Sequence, residues 1–170
     1  MRLYLFRHGI AIDRDDPSCP SDPDRWITDK GKVRIREVAL GLAAMGVHPA
    51  QLLSSPYTRA RQTAEIVSEA MGLSKVKIQL TQSLLPEAPP SALVEFLHDR
   101  GDVDVMCFGH APNLDEIIGL CLGTGGAITS LKKAGVACIA WARPVAGTGQ
   151  LEWLYTPKTF RLPGKDRQET

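Results

Sequence analysis

No stretch of this 170-residue sequence approaches 18 consecutive apolar residues, and neither sign of charge prevails, with 20 basic side chains against 19 acidic ones. The first absence excludes an apolar helix long enough to span a bilayer. The second leaves no global field to draw the chain onto nucleic acid or an anionic membrane, so any anion site has to be local. Met1 to Gly9 holds only a short apolar run interrupted by Arg7 and His8, unsuited to a secretory signal, and a cytoplasmic location is expected. The four cysteines, Cys19, Cys107, Cys121 and Cys138, form no C-x-x-C pair. Three of them lie in apolar runs, where a free thiol packs as a small hydrophobe, so a reducing compartment is expected. The aspartates between Ile12 and Trp26 lack the glycine and terminal glutamate of a calcium loop. Gly123-Thr124-Gly125-Gly126 lacks the Gly-Lys-Ser/Thr ending of a nucleotide loop and reads as a turn.

What is present is an ordinary globular composition, 44% hydrophobic and 23% charged, in a length that suits one domain spanning 1–170. Leu3 to Phe6 is a continuous apolar run fit for a strand buried on both faces of a parallel sheet. Residues 13–26 have no usable periodicity and read as a surface loop or lid. Thr28 is a candidate N-cap for a helix to about Met45, with Val33, Val38, Leu42 and Met45 at helical spacing and Gly46 as its stop. Gln51 to Ser55 reads as a second strand, and Ser55-Pro56 as the cap and first position of a helix carrying Arg59, Arg61, Ala64, Ile66 and Val67. Val76 to Leu80 and Val103 to Phe108 predict two more strands, with a helix from Ala92 to His98 capped by Ser91 between them. Asn113 to Leu122 predicts an amphipathic helix. Val136 to Trp141 and Leu151 to Tyr155 predict a hairpin or two edge strands, and 157–170 a polar, frayed tail. Strands alternating with helices predict a three-layer α/β/α sandwich around a mostly parallel central sheet.

Three distant segments each place polar groups just beyond a predicted strand: Arg7-His8-Gly9, Ser54-Ser55-Pro56 leading to Arg59, and Gly109-His110. That edge of an open α/β sheet is where ligands bind. Two histidines and two arginines gathered there would form a cationic pocket, and guanidinium groups match the oxygens of phosphate, so a phosphoryl group is the natural occupant.

Leu5-Phe6-Arg7-His8-Gly9, the block Ser54 to Ala64, and Gly109-His110-Ala111-Pro112 resemble, in order and spacing, the three signature blocks of the histidine phosphatase superfamily, also called phosphoglycerate mutase-like. The resemblance spans residues 1–155, and the short chain looks most like the SixA-type phosphohistidine phosphatases. It implies a phosphoglycerate mutase-like fold with His8 as the nucleophile and Arg7, Arg59 and His110 holding the phosphate. Thr28 with Gly31 matches a weaker L-T-x-x-G element of substrate binding, with Ile27 in place of its leucine. Ser55, at the start of its helix, is placed with the substrate-binding groups. On this reading an unprotonated imidazole nitrogen attacks phosphorus, and protonated His110 with the arginines stabilises the charge.

A zinc site built on His8 and His110 would need a third ligand that no Cys or Asp motif supplies, so neither a metal nor a cofactor is expected. Glu87, in Leu85 to Pro90, is a candidate proton donor or an ordinary loop carboxylate, because its flanks match the superfamily's acidic motif poorly. An imidazole leaving group needs less acid help than an alkoxide, which favours phosphohistidine of a signalling protein as substrate. Two alternatives stand beside it: a phosphatase for small phosphate monoesters, and a non-catalytic phosphate-binding module. A monomer is expected, with a phosphorylated protein or small phosphate compound as partner. Arg61 and Glu65, four apart on one helix, read as a solvated ion pair, and His48 and His98 as surface residues.

Overall fold

The computed structural model of the chain describes residues 1–98 and 100–160. Six strands form one sheet: β1 (Arg2–Arg7), β2 (Gln51–Ser54), β3 (Ile78–Leu80), β4 (Val105–Gly109), β5 (Val136–Ala140) and β6 (Gln150–Tyr155). Their order across the sheet is β3-β2-β4-β1-β5-β6. The β2–β3, β2–β4 and β1–β4 pairs are parallel, whereas β1–β5 and β5–β6 are antiparallel. Only β6 of the last two is an edge strand; β5 lies inside, where its Val136-Ala137-Cys138-Ile139 run is buried on both sides.

Alternation along the strands explains the two cores. Tyr4 and Phe6 of β1, Leu52 of β2, Met106 and Phe108 of β4, and Val136 and Cys138 of β5 face α1 (Asp29–Ala44) and α2 (Thr58–Ala70). Leu3, Leu5, Leu53, Val105, Cys107, Ala137 and Ile139 face α3 (Pro90–His98) and α4 (Asn113–Leu122). A strand that buries both faces must be apolar at consecutive positions, which is why β1 and β4 read as unbroken hydrophobic runs. Cys107, Cys121 and Cys138 are buried free thiols in this packing. No helix among the described residues is long and apolar enough to cross a membrane.

Several boundaries differ from the sequence expectation. Thr28 does cap α1, its Oγ1 accepting the Gly31 amide at 3.1 Å, but Val33 and Met45 are exposed and the buried stripe runs through Gly31, Ile35, Val38, Ala39 and Leu42. α2 begins at Thr58 rather than at Pro56. Tyr57 keeps extended backbone angles (φ −63°, ψ 135°), so Ser55 remains in the connection beyond β2 and is not the cap. α3 begins at Pro90, ahead of the expected Ser91 cap, because proline is preorganised for a first helical turn. Residues 157–160 of the expected tail are a short 3-10 helix, Pro157–Phe160, with Pro157 buried and Phe160 packed on α1; the rest of that tail lies outside the described residues. Gly41 of α1 makes room for the Phe160 ring, which a Cβ there would overlap.

On an open helix surface Gly→Ala stabilises by about 1 kcal/mol. Gly41→Ala is expected to give no gain, or a loss, in urea unfolding, whereas the same change in a Phe160→Ala background regains that amount. An equal gain in both backgrounds would mean that Phe160 does not pack on α1 in solution.

Candidate active site

The C-terminal ends of β1, β4 and β2 lie side by side. Arg7 is in register with Gly109, the His8 amide donates to the Gly109 carbonyl at 2.9 Å, and the Ser55 amide donates to the Phe108 carbonyl at 2.9 Å. This pairing brings residues 8, 55 and 110 together. The His8 and His110 ring centroids are 5.2 Å apart. A cavity of about 480 Å³ opens here, lined by Arg7, His8, Arg59 and His110, by Asp13, Arg14, Asp15, Asp22 and Arg25 of the first loop, and by Pro86, Ala111 and Lys133.

His8 is 8% exposed and its Nδ1 lies 2.7 Å from the Gly9 carbonyl. A carbonyl only accepts, so Nδ1 carries the proton and Nε2 keeps its lone pair. Gly9 is itself held, its amide donating to Thr63 Oγ1 at 3.1 Å while that hydroxyl donates to the Arg59 carbonyl at 2.7 Å. Thr63 therefore ties the nucleophile candidate to the helix that carries Arg59. It was not singled out from the sequence, although it lies within the second signature block.

His110 is 2% exposed and its Nε2 is 2.9 Å from Ser55 Oγ; its Nδ1 is buried without a partner among the described residues. Burial, helped by the positive charges of Arg59, Arg7 and Lys133, pushes the His8 pKa down to about 3 against the hydrogen bond that its ring donates to the Gly9 carbonyl. Burial, then the neighbouring His8 and Arg59, pushes His110 down to about 2. Both imidazoles are therefore neutral in the free site at neutral pH. The expectation of a protonated His110 concerns the occupied site: in the free one a charge among two guanidiniums in a desolvated pocket is unfavourable until an anion arrives.

Arg59 is 4% exposed and already engaged. Its Nη1 donates to the Asp22 carbonyl at 2.6 Å and its Nη2 to the Asp22 carboxylate at 3.1 Å. Arg14 and Arg25 reach the other carboxylate oxygen at 3.0 and 3.2 Å. Partial burial alone would raise the Asp22 pKa, but the three arginines outweigh it and bring it down to about 2. The first loop is thus held across the cavity by Asp22, with its base closed by the Ala11–Ile27 bridge and by Arg25 donating to the Ile12 carbonyl. Asp22 was one aspartate among several in the sequence, with no spacing to mark it.

The other expected site residues lie elsewhere. Thr28 and Gly31 do not line the cavity. Thr28 donates to the Ile10 carbonyl at 3.1 Å, and Gly31 lies so close to the Ile10 backbone that a Cβ would overlap it. Both brace the chain just after Gly9. Ser55 also stays off the cavity wall and acts on His110. Glu87 is exposed and outside the lining, one residue beyond Pro86. Arg61 and Glu65 form an exposed pair at 3.7 Å, and His48 and His98 are exposed.

The model of the histidine phosphatase superfamily (branch 1) matches residues 3–85. An uncharacterised protein of Picosynechococcus sp. is 38% identical, the match covering 96% of this chain and all of that protein. The phosphohistidine phosphatase SixA of Escherichia coli is 27% identical over 95% of this chain and 98% of its own. In three dimensions the chain resembles the protein histidine phosphatase SixA complexed with tungstate, with a TM-score of 0.84 at 22% identity over 95% of this chain and all of that one. It also resembles the phosphoserine phosphatase of Entamoeba histolytica in complex with 3-phosphoglyceric acid, with a TM-score of 0.66 at 15% identity over 91% and 96% of the two chains. The fold is phosphoglycerate mutase-like.

The two buried histidines predict an acid-sensitive fold. Each imidazole binds its proton more readily in the unfolded chain, where its pKa is 6.5, than in the folded one. Their stabilisation is complete above about pH 6.5 and is lost as the pH falls towards 3, at about 2 kcal/mol per histidine by pH 5. His110→Gln is expected to halve the histidine part of the melting-temperature difference between pH 7.5 and 5. Equal pH dependence in the two proteins would show that His110 is not held neutral by its burial.

Proposed function

The chain belongs to the histidine phosphatase superfamily, and from that premise we propose that it hydrolyses phosphohistidine on a signalling protein through a covalent phosphohistidine on His8. The observation that carries the proposal is His8 oriented through its Nδ1 by the Gly9 carbonyl, in one cavity with Arg7, Arg59 and His110. Superfamily membership supports phosphatase activity in general; the finer substrate rests on the acid–base inventory of the cavity and on the relatives named for phosphohistidine.

The phosphoryl group sits in the cavity with Nε2 of His8 in line with phosphorus. As the new N–P bond forms, the bond from phosphorus to the substrate imidazole breaks, and the leaving ring takes up a proton from solvent. Arg7 and Arg59 stabilise charge on the equatorial oxygens, Arg59 exchanging its Asp22 carboxylate for the incoming phosphoryl oxygens. The dianion reverses the balance that keeps His110 neutral, so that ring becomes protonated as the substrate binds. Water then attacks the phosphohistidine, releasing inorganic phosphate and regenerating His8.

A phosphohistidine substrate is supported by the leaving group it offers and by the state of the nearby carboxylates, of which Asp13 and Asp15 also line the cavity. Glu87 is outside the cavity, and Asp22 is held ionised by three arginines. An alkoxide leaves poorly without a proton, while an imidazole has a conjugate-acid pKa near ~6.5 and leaves with little help.

The decisive experiment incubates the protein and His8→Ala with a histidine-phosphorylated phosphotransfer protein labelled on the phosphoryl group. Transient acid-labile label and released phosphate are expected for the wild type alone. Label-free wild type that still cleaves a simple phosphate ester would turn the reading to small monoesters. Binding of phosphate with no turnover of either would leave a phosphate-binding module. Glu87→Gln is expected to change phosphohistidine turnover less than ~3-fold; a loss beyond ~100-fold, the scale of a working general acid, would contradict a route that does without Glu87.

A further inference from the structure

Arg7 has few constraints for a residue assigned to hold a reacting phosphoryl group. Its Nε is buried without a partner, and its guanidinium makes one hydrogen bond to the protein among the described residues, from Nη1 to the Leu131 carbonyl at 2.5 Å. That carbonyl belongs to the irregular connection between α4 and β5, which is exposed over residues 123–128. What holds it is Asp115, in the first turn of α4. Asp115 is 5% exposed and has no ion-pair partner among the described residues. Its Oδ1 accepts both the Leu131 amide at 2.8 Å and the Thr129 hydroxyl at 2.6 Å. The same connection then turns through Ala134, whose left-handed backbone (φ 60°) lets its amide donate to the Arg7 and His8 carbonyls at 3.1 Å each.

The Asp115 charge also acts on Arg7, favouring the cationic guanidinium that burial disfavours. We propose that Asp115 is a positioning residue for the phosphoryl site: it fixes the Leu131 carbonyl, and through it the Arg7 guanidinium, while leaving the remaining Arg7 donors for substrate. The inference rests on the phosphatase reading for its kinetic consequence only; the ordering of Arg7 is a property of the free protein.

Two measurements test it. In the free protein, the guanidinium 15N signal of Arg7 is expected to be ordered in wild type and in Asp115→Asn, which keeps the accepting oxygen. It is expected to become mobile in Asp115→Ala and partly so in Thr129→Val, which removes one of the two bonds from a less buried position. In phosphohistidine turnover, Asp115→Ala is expected to lower kcat by ~10- to 100-fold, the scale of a misplaced catalytic group, with recovery in Asp115→Asn. In an Arg7→Ala background the Asp115→Ala change is expected to add less than ~2-fold, because its route to the reaction is gone. An unchanged Arg7 signal in the folded Ala and Val variants, or a full additional loss in the Arg7→Ala background, overturns the proposal. If the wild type turns over no phosphate compound, the phosphatase reading fails while the Arg7 signal still decides the role of Asp115.

Discussion

The cavity depends on one main-chain register, the parallel pairing of β1 with β4 that sets Arg7 opposite Gly109. Because parallel strands advance together, the residues that follow them, His8 and His110, emerge at the same height, with the His8 amide bonded to the Gly109 carbonyl. A shift of one residue would invert every side chain of β1 between the two cores. Tyr4 and Phe6 on one side and Leu3 and Leu5 on the other hold the register against that shift. The same packing that stabilises the sheet thus aligns the two imidazoles.

Electrostatics then set the resting state of the site. Burial first, then Arg59 and Arg7, lowers the proton affinity of both histidines, with Lys133 adding to this at His8, and the first loop supplies the counter-charge in the form of Asp22. On the proposed reading, a neutral His8 with its Nδ1 proton committed to a carbonyl acts as a nucleophile without further activation. On the same reading an arriving phosphoryl dianion takes over the role of Asp22 towards Arg59, and the free site is organised around a carboxylate in its place. Thr63 and Ser55 add neutral hydrogen bonds that orient the rings without adding charge.

Much of this was legible in the chain. The apolar runs of β1 and β4, the α4 span, the Thr28 cap and the three blocks carrying His8, Arg59 and His110 follow from local chemistry and resemblance. The displaced start of α2 was not legible, because Ser55-Pro56 satisfies the local rules for a helix start while Ser55 is drawn instead to His110. Val33 fits the helical periodicity of α1 yet is exposed, because the choice of stripe is made by the sheet beneath. Phe160 lies in a segment of polar composition, and its packing depends on the room left by Gly41 on a helix distant in sequence.

By itself the sequence determined the alternation of strands and helices, and the residue types that could gather at a strand edge. These depend on interactions within a few residues along the chain: periodicity, capping and turn chemistry. Only the tertiary structure decided which aspartate faces Arg59, that Glu87 stays outside the cavity, that both histidines are neutral, and that Asp115 stands behind Arg7 through Leu131. Those are facts of distance and desolvation between residues far apart in sequence, and neither quantity exists until the sheet has closed around them.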